Sequence, residues 1–422
     1  MPDGTATVHL YRPKLITTFS EGYDLHKFWK DFLAALTVAI VALPLSMAFA
    51  IASGVSPERG LYTAIVGGFL VSALGGSRFQ IGGPAGAFIV LIAATVSKFG
   101  VEGLLLTVLL SGAMLMFIGL SKLGSLIRHI PHAVTVGFTA GIAIIILASQ
   151  LKELGGLTLV GAEPGSLLPK LWALARALPT INVAALGLGA GTATVIFLQR
   201  RFWPNWPGML IAVVVASVIA WLLRLPVETI GSQFGELPHG LPIPRLPQIS
   251  PDVISQLLPS AFAFTLLGAV ESLLSAKVAD GMTGRRHRPN MELVAQGVAN
   301  IGSALFGGIC VTGTIARTAT NVRAGAKSPM SGIMHAIFLL LFLLVAAPLA
   351  SFVPLAALAG LLVVVCWNMA DKEDFAALLR PWPSAAVLLA TFSLTLLKDL
   401  TFGIVAGCVL AALLALIRRK VA

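Results

Sequence analysis

Several residues in this chain have the types and spacing for anion chemistry in otherwise apolar surroundings. The stretch CVTGTIARTATNVRAGAKSP, Cys310–Pro329, sets Arg317, Arg323 and Lys327 among threonines, alanines and glycines, between long hydrophobic runs. An arginine at membrane depth costs about 2.5–3.5 kcal/mol on insertion scales, so Arg317 should face a cavity and a task. The plainer alternative is that it snorkels to a nearby membrane edge. Thr312 or Thr314 can cap a helix that starts beside it. In QIGGPAGAF, residues 80–88, Gly82, Gly83 and Gly86 allow close backbone approach to a ligand, and Pro84 suits a first helical position. Glu271, in FTLLGAVESLLSAKVA, precedes Ser275 by one helical turn, so both can face one side. Three roles are open to it: proton carrier, counter-charge to Arg317, or cation ligand with Ser275; an interhelical hydrogen bond is the structural alternative. Ser46, beside the helix-bending Pro44, could complete a pocket, and small-residue packing accounts for a serine there as well.

Composition says where such residues must sit. Of 422 residues, 57% are hydrophobic and 11% charged, and mean hydropathy is +0.92, beyond what a water-soluble core requires. Many apolar runs reach the roughly 18–20 residues a spanning helix needs, and the short alternating strands of a barrel are missing, so an all-α membrane protein is expected. The net charge of +11 does not point to nucleic acid, because the basic residues cluster beside hydrophobic runs (HKFWK, IRHI, QRRF, GRRHR, IRRK), as positive-inside anchoring requires. Cys310, Cys366 and Cys408 show no CxxC spacing and imply neither disulfide nor metal. His129 and His132 flank Pro131 at a membrane boundary and read as interfacial. No cofactor is implied, and no His, Cys and Asp/Glu are grouped as an enzyme would need. Residues 1–27 are polar and the first apolar run is long enough to span, so no cleavable signal peptide is expected.

Hydropathy predicts fourteen segments, near 31–53, 59–76, 84–98, 101–121, 131–151, 181–199, 205–224, 254–277, 292–308, 314–324, 330–350, 354–370, 383–398 and 401–418. The third and tenth are too short to cross. The Lys/Arg distribution puts both termini in the cytoplasm, and SLLPKLWALARALP reads as an amphipathic helix on the outer surface, with a plain solvent-exposed helix as the alternative. GFLVSALGG and GLGAGTA look like close-packing faces. In each half an unusual residue in a spanning helix (Pro44, Glu271) is followed about forty residues later by a Gly-rich break. Two halves of seven segments have opposite topology, which predicts a 7+7 inverted repeat.

Non-helical chain at membrane depth is tolerated only where it is buried in protein or lines a wet cavity, so two breaks mark a cavity. The helix after each break presents unpaired N–H groups and the positive end of its dipole, roughly half an elementary charge. Two such ends facing one another make an anion site.

Three stretches resemble the sulfate permease (SulP) family, related to the eukaryotic sulfate and anion exchangers. GTIARTATNVRAGAKSPMSGI (Gly313–Ile333) is similar to that family's G-S-F-S-R-S-x-x-N-x-x-A-G-A-R-T-P-L-S-G-I. ESLLSAKVADGMTGRRHRPNMELVAQGVANI (Glu271–Ile301) is similar to its E-S-x-x-S-A-x-x-A-D-x-x-T-G followed by E-L-x-x-Q-G-x-A-N, and LPLSMAFAIASGVSPERGLYTA to its first-helix pattern. The resemblance, from about residue 29 onward, implies an N-terminal cytoplasmic segment (1–28), a core domain (segments 1–4, 29–121; segments 8–11, 253–351) and a gate domain (segments 5–7, 122–252; segments 12–14, 352–422). It implies an elevator-type mechanism, a homodimer, and an anion held between the starts of segments 3 and 10. The substrate pocket would involve Ser46, Phe49, Gly83, Ala85, Gly86, Thr314, Ile315, Ala316 and Arg317, with Glu271 and Ser275 for coupling and no metal.

Most members also carry a C-terminal STAS domain; none is expected within these 422 residues. Pro44-Leu45 replaces the family's Pro-Gln pair and Ala316 its common serine, which makes the pocket less polar. Sodium-coupled bicarbonate members tend to have Asp where Glu271 stands, which favours proton coupling or exchange. The expected function is secondary active transport of inorganic anions across an inner or plasma membrane, sulfate first, with bicarbonate and dicarboxylates next and sodium or proton as coupling ion. An uncoupled anion channel and the architecturally similar uracil and xanthine permeases are the alternatives.

Overall fold

Asp24 closes the polar N-terminal stretch and starts the first long helix, its carboxylate accepting from Lys27 N at 2.8 Å and so pairing an otherwise orphaned donor. The computed structural model describes residues 11–124, 131–161, 164, 166–203, 206–247, 251–398 and 400–421. In chain order its helices and strands are α1 (Lys14–Ser20), α2 (Leu25–Ala52), α3 (Pro57–Tyr62), a π-helical turn (Thr63–Gly67), α4 (Gly68–Leu74), β1 (Gly82–Gly83), a 3-10 turn (Gly86–Phe88), α5 (Ile89–Leu120), α6 (His132–Gly155) and α7 (Leu167–Ala177). There follow α8 (Val183–Phe202), α9 (Gly208–Leu222), α10 (Ile230–Phe234), α11 (Pro251–Thr283), α12 (Pro289–Leu305), β2 (Thr312–Gly313), α13 (Ile315–Arg323), α14 (Met330–Val345), α15 (Ala347–Ala350), α16 (Leu355–Met369), α17 (Lys372–Leu378), α18 (Trp382–Leu397) and α19 (Leu400–Val421).

Every expected segment coincides with helix, and the chain is an all-α membrane protein. Segments 3 and 4 both lie in α5, and the expected boundary between 98 and 101 falls where Gly100 interrupts the helix with φ 68°, a left-handed conformation that glycine adopts without a Cβ penalty. The N-terminal segment, expected only to be polar, contains α1, and its residues 1–10 lie outside the described part, as does His129.

The chain divides into two units, Met1–Arg128 with Ile230–Phe352, and His129–Thr229 with Val353–Ala422. In the first, α5 crosses α12 closely enough that a Cβ on Gly112 would lie 2.7 Å from the carbonyl oxygen of Gly297, and one on Gly119 2.8 Å from that of Asn290. Small residues at such crossings let backbones approach where lipid removes the hydrophobic drive for association. The start of segment 3 is pinned to α11 by the buried Phe88 and Phe264 rings, edge to face at 5.6 Å. In GFLVSALGG, Gly68 packs against the backbone of Gly82, as a close-packing face should.

In the second unit Gly189, from GLGAGTA, brings α8 against α16 at Ala356 and Gly360. The expected amphipathic helix is α7: Leu174 and Ala177 pack with Leu157, while Leu168 and Trp172 stay exposed. An apolar cleft of about 340 Å³ lies there, lined by Leu151, Leu154, Leu171 and Leu174 among others; with no charged lining it does not suit an anion. His132 Nε2 lies 2.8 Å from Asp374 Oδ2, both exposed, in keeping with an interfacial histidine.

Candidate functional site

The two breaks meet inside the first unit as a two-residue antiparallel ribbon, Gly82 opposite Gly313 and Gly83 opposite Thr312. The ladder continues through Thr314 N, which donates to Ile81 O at 3.1 Å. Side chains pair more of the backbone: Ile81 N donates to Thr318 Oγ1 (3.1 Å), and Asn321 Nδ2 to Phe79 O (2.9 Å). Extended chain at this depth is stable because its polar groups are paired within the protein.

The ribbon changes the expected capping. Thr314 holds the cap position of α13, but its hydroxyl donates to Ile81 O at 3.2 Å and makes no cap bond; Thr312 Oγ1 is 2.8 Å from Ser272 Oγ. Both hydroxyls serve the ribbon, so the first-turn N–H groups of Ile315, Ala316 and Arg317 have no hydrogen-bond acceptor among the described residues. Pro84 is not the first helical residue either, because the 3-10 turn starts at Gly86 with Ala85 before it. Nine residues of α13 rise only about 14 Å, less than half of the roughly 30 Å bilayer core, so this helix is too short to cross by itself.

Arg317 is the third residue of α13 and 2% exposed, which removes the snorkelling alternative. Its Nη2 donates to Ser46 Oγ at 3.3 Å, and Ser46 Oγ in turn donates to Ala42 O at 2.7 Å within α2. Its Nη1 is buried without a partner among the described residues. A Cβ on Gly83 would collide with that nitrogen, so glycine at 83 is what lets the guanidinium reach the first break. The fold thus joins Arg317, Ser46 and Gly83 from three elements. Phe49, one turn beyond Ser46, is buried with Ala85 and Gly86, while Ile315 and Ala316 are exposed at the helix start.

Glu271 and Ser275 are not brought together as a pair. Ser275 Oγ donates to Thr318 Oγ1 at 3.0 Å. Glu271 makes no hydrogen bond or ion pair among the described residues, to Arg317 or to any other, and its Oε2 is buried. Among the described residues there is also no group of three or more His, Cys, Asp or Glu able to hold a metal ion.

Sequence reasoning missed the residues that hold the ribbon in place. Ser272, between the two expected coupling residues, accepts from Gly313 N at 3.2 Å. On α12, the buried Glu292 accepts from Gly76 N (2.9 Å), Ser77 N (3.0 Å), Gln80 Nε2 (2.7 Å) and Gln296 Nε2 (3.0 Å). Two turns on, Asn300 accepts from Val311 N (2.9 Å) and donates to Val311 O (2.8 Å), and Ser303 Oγ donates to Ile309 O (2.6 Å). One face of α12 therefore holds the approaches to both breaks. The signal was present in the E-x-x-x-Q-x-x-x-N spacing, which places three polar residues on one helix face. Asp31 does similar work behind α13, accepting from Lys327 N (2.6 Å), Ser328 N (3.1 Å) and Tyr23 OH (3.0 Å).

Comparison with known proteins decides what this arrangement belongs to. The profile of the "Sulfate permease family" matches residues 28–392. The chain belongs to the sulfate permease family. It is 44% identical over 394 residues to the "Putative sulfate transporter YvdB" of Bacillus subtilis (strain 168), covering 93% of this chain and 74% of that protein. It is 32% identical to the "Bicarbonate transporter BicA" of Picosynechococcus, covering 92% and 70%. The solved transmembrane domain of a cyanobacterial BicA superposes with a TM-score of 0.79 at 29% identity, over 92% of this chain and 98% of that one. SLC26A9 superposes with a TM-score of 0.88 at 20% identity, over 98% and 69%, which speaks to the fold alone. This sulfate permease family member is accordingly a multi-pass membrane anion transporter and not an enzyme.

Proposed function

We propose that this permease is a secondary active transporter of inorganic oxyanions, sulfate first, with proton coupling or anion exchange. The observation that carries the reading is Arg317 Nη1, a buried guanidinium donor without an acceptor among the described residues, beside Gly83 and the N–H groups that start α13. An oxyanion there would receive charge-assisted hydrogen bonds from the guanidinium and dipolar stabilisation from the helix start. Ser46, Phe49, Gly83, Ala85, Gly86, Thr314, Ile315, Ala316 and Arg317 are the proposed substrate-binding residues; Thr314 acts through its backbone, since its hydroxyl is committed to Ile81. Glu271 is the proposed coupling group because it has no competing partner; Ser275 is assigned a supporting place on the same helix, bonded to Thr318.

In the proposed cycle a core, residues 29–121 and 253–351, carries the anion against a gate, residues 122–252 and 352–422, by an elevator motion in a homodimer of the cell's inner membrane, with cytoplasmic termini. Bicarbonate is the second substrate reading, favoured by the 32% identity to BicA and by Leu45 and Ala316. Uptake into proteoliposomes of labelled sulfate, bicarbonate and fumarate, each with and without a pH or sodium gradient, tests the proposal. Sulfate accumulation driven by a proton gradient or by counter-anion is expected. No gradient-dependent accumulation, together with a steady anion current in planar bilayers, would establish a channel instead.

A further inference from the structure

The N-terminal helix α1 is a strap with no part in the anion site. Lys14 N donates to Gly75 O at 2.9 Å and Tyr11 OH to Leu120 O at 2.8 Å. Arg288 Nη1 donates to Arg12 O (2.5 Å) and Thr17 Oγ1 (3.0 Å), and Arg288 N to Gly76 O (2.9 Å). Arg78 Nη2 pairs with Glu21 Oε1 at 2.5 Å. Three distant stretches, 11–21, 75–78 and 280–288, are thereby tied together, and their charges do not balance. The cations are Arg12, Lys14, Arg78, Arg285, Arg286 and Arg288. The acids are fewer: Glu21, held by Arg78, Asp280, held by His287 Nδ1 at 2.6 Å, and the buried Glu292, whose carboxylate is taken up by Gly76 N and Ser77 N.

Lys14 shows the excess most clearly. It is half buried, and its ammonium has no hydrogen-bond or ion-pair partner among the described residues. Burial first, then the nearby Arg288 and Arg78 guanidinium groups, lower its pKa to about 8. Like charges gathered by the fold and partly desolvated call for a counter-anion. The same short helix turns Ile16 and Phe19 outward, 49% and 52% exposed, and Trp29 on the next helix is 53% exposed. Apolar and aromatic side chains beside cations are the make-up of an element at the bilayer interface.

We infer that Arg12, Lys14, Arg78 and Arg288 form a binding site for the phosphate of an anionic phospholipid, with Ile16 and Phe19 in the acyl boundary beside it. Because the strap is bonded to Gly75 and Gly76, at the head of the chain that leads into β1, an occupied site would steady that approach to the anion pocket.

The test is thermal unfolding of the whole purified chain with short-chain phosphatidylglycerol, phosphatidylcholine or inorganic phosphate. Phosphatidylglycerol should raise Tm, while phosphatidylcholine and inorganic phosphate at equal concentration should not. Lys14→Gln and, separately, Arg12→Gln should each raise the phosphatidylglycerol concentration for half-effect about fivefold, the weight of one basic residue at an anionic surface. The linkage has a definite sign. With its pKa lowered from 10.5, Lys14 is charged and repelled below pH 8, and between about pH 8 and 10.5 its loss of the proton relieves the strap, so the lipid effect should shrink above pH 8. Equal stabilisation by phosphatidylcholine, no stabilisation by phosphatidylglycerol, or variants that respond like the wild type would overturn the inference. Stabilisation by inorganic phosphate equal to that by phosphatidylglycerol would assign a solute site and discard the lipid. None of these outcomes depends on transport, so the inference stands or falls separately from the substrate proposal.

Discussion

Arg317 holds a charge whose burial is not offset by an ion pair, and that imbalance makes opposite demands on stability and affinity. Removing one member of a buried, paired network usually destabilises, whereas removing a buried charge that has a hydroxyl partner but no counter-charge also removes its desolvation cost. Arg317→Ala should therefore weaken sulfate binding about ten- to a hundredfold, the worth of one or two charge-assisted hydrogen bonds, without lowering Tm. Calorimetric affinity and thermal unfolding of the same preparation check both halves, and unchanged affinity would remove the guanidinium from the site. Arg317→Lys keeps the charge but loses the planar fork, and should recover only part of the binding. Glu271 has no partner for its carboxylate, so Glu271→Gln alters little but its ability to take a proton. If that proton couples transport, sulfate uptake by the variant should continue as exchange but stop responding to an imposed pH gradient. A response of wild-type size would end the coupling role.

At the scale of elements, the ribbon depends on α12, whose polar stripe holds the approach to β1 at Glu292 and the approach to β2 at Asn300. Asn300→Ala leaves Val311 N and O unpaired in a buried place, a loss of about 1–3 kcal/mol for each unsatisfied group. Tm should fall and the apparent KM for anion rise together, unlike Arg317→Ala, which should move affinity alone. An Asn300→Ala protein with wild-type Tm would show that the clasp is dispensable. The helices and both breaks were legible in the sequence because each is a local pattern: an apolar run of spanning length, then glycines and threonines where a run stops. Arg317 stood out for the same local reason, a permanent charge in an apolar setting. The clasp was not legible as one, since Glu292 meets Gly76 and Ser77 more than two hundred residues away, and only the fold supplies that proximity. Thr314 misled for the complementary reason: a cap is the local expectation, and the long-range demand of Ile81 O prevailed. The join between the third and fourth segments was legible too: the expected boundary between 98 and 101 falls at Gly100, where the helix is interrupted.

At the scale of the whole molecule, the proposed carrier mechanism requires that the helix start of α13 meet water from each side of the membrane in turn, whatever motion accomplishes it. Ala316 reports on that, since it is exposed, carries no hydrogen-bonding side chain and adjoins Arg317. A single cysteine can be read at Ala316→Cys once Cys310, Cys366 and Cys408 are replaced, and none of these three is part of the proposed pocket. In oriented vesicles a membrane-impermeant thiol reagent should label the new cysteine from either face, and saturating sulfate should slow labelling from both. The slowing should vanish in the same protein carrying Arg317→Ala, because protection requires a bound anion and not merely a closed conformation. A channel would be labelled from both faces at once, without any trade-off between them when a gradient is imposed. A carrier must lose accessibility on one face as it gains it on the other, so labelling rates that move in opposite directions under an imposed sulfate gradient are the expected result. Labelling from one face alone under every gradient would show that the pocket does not alternate.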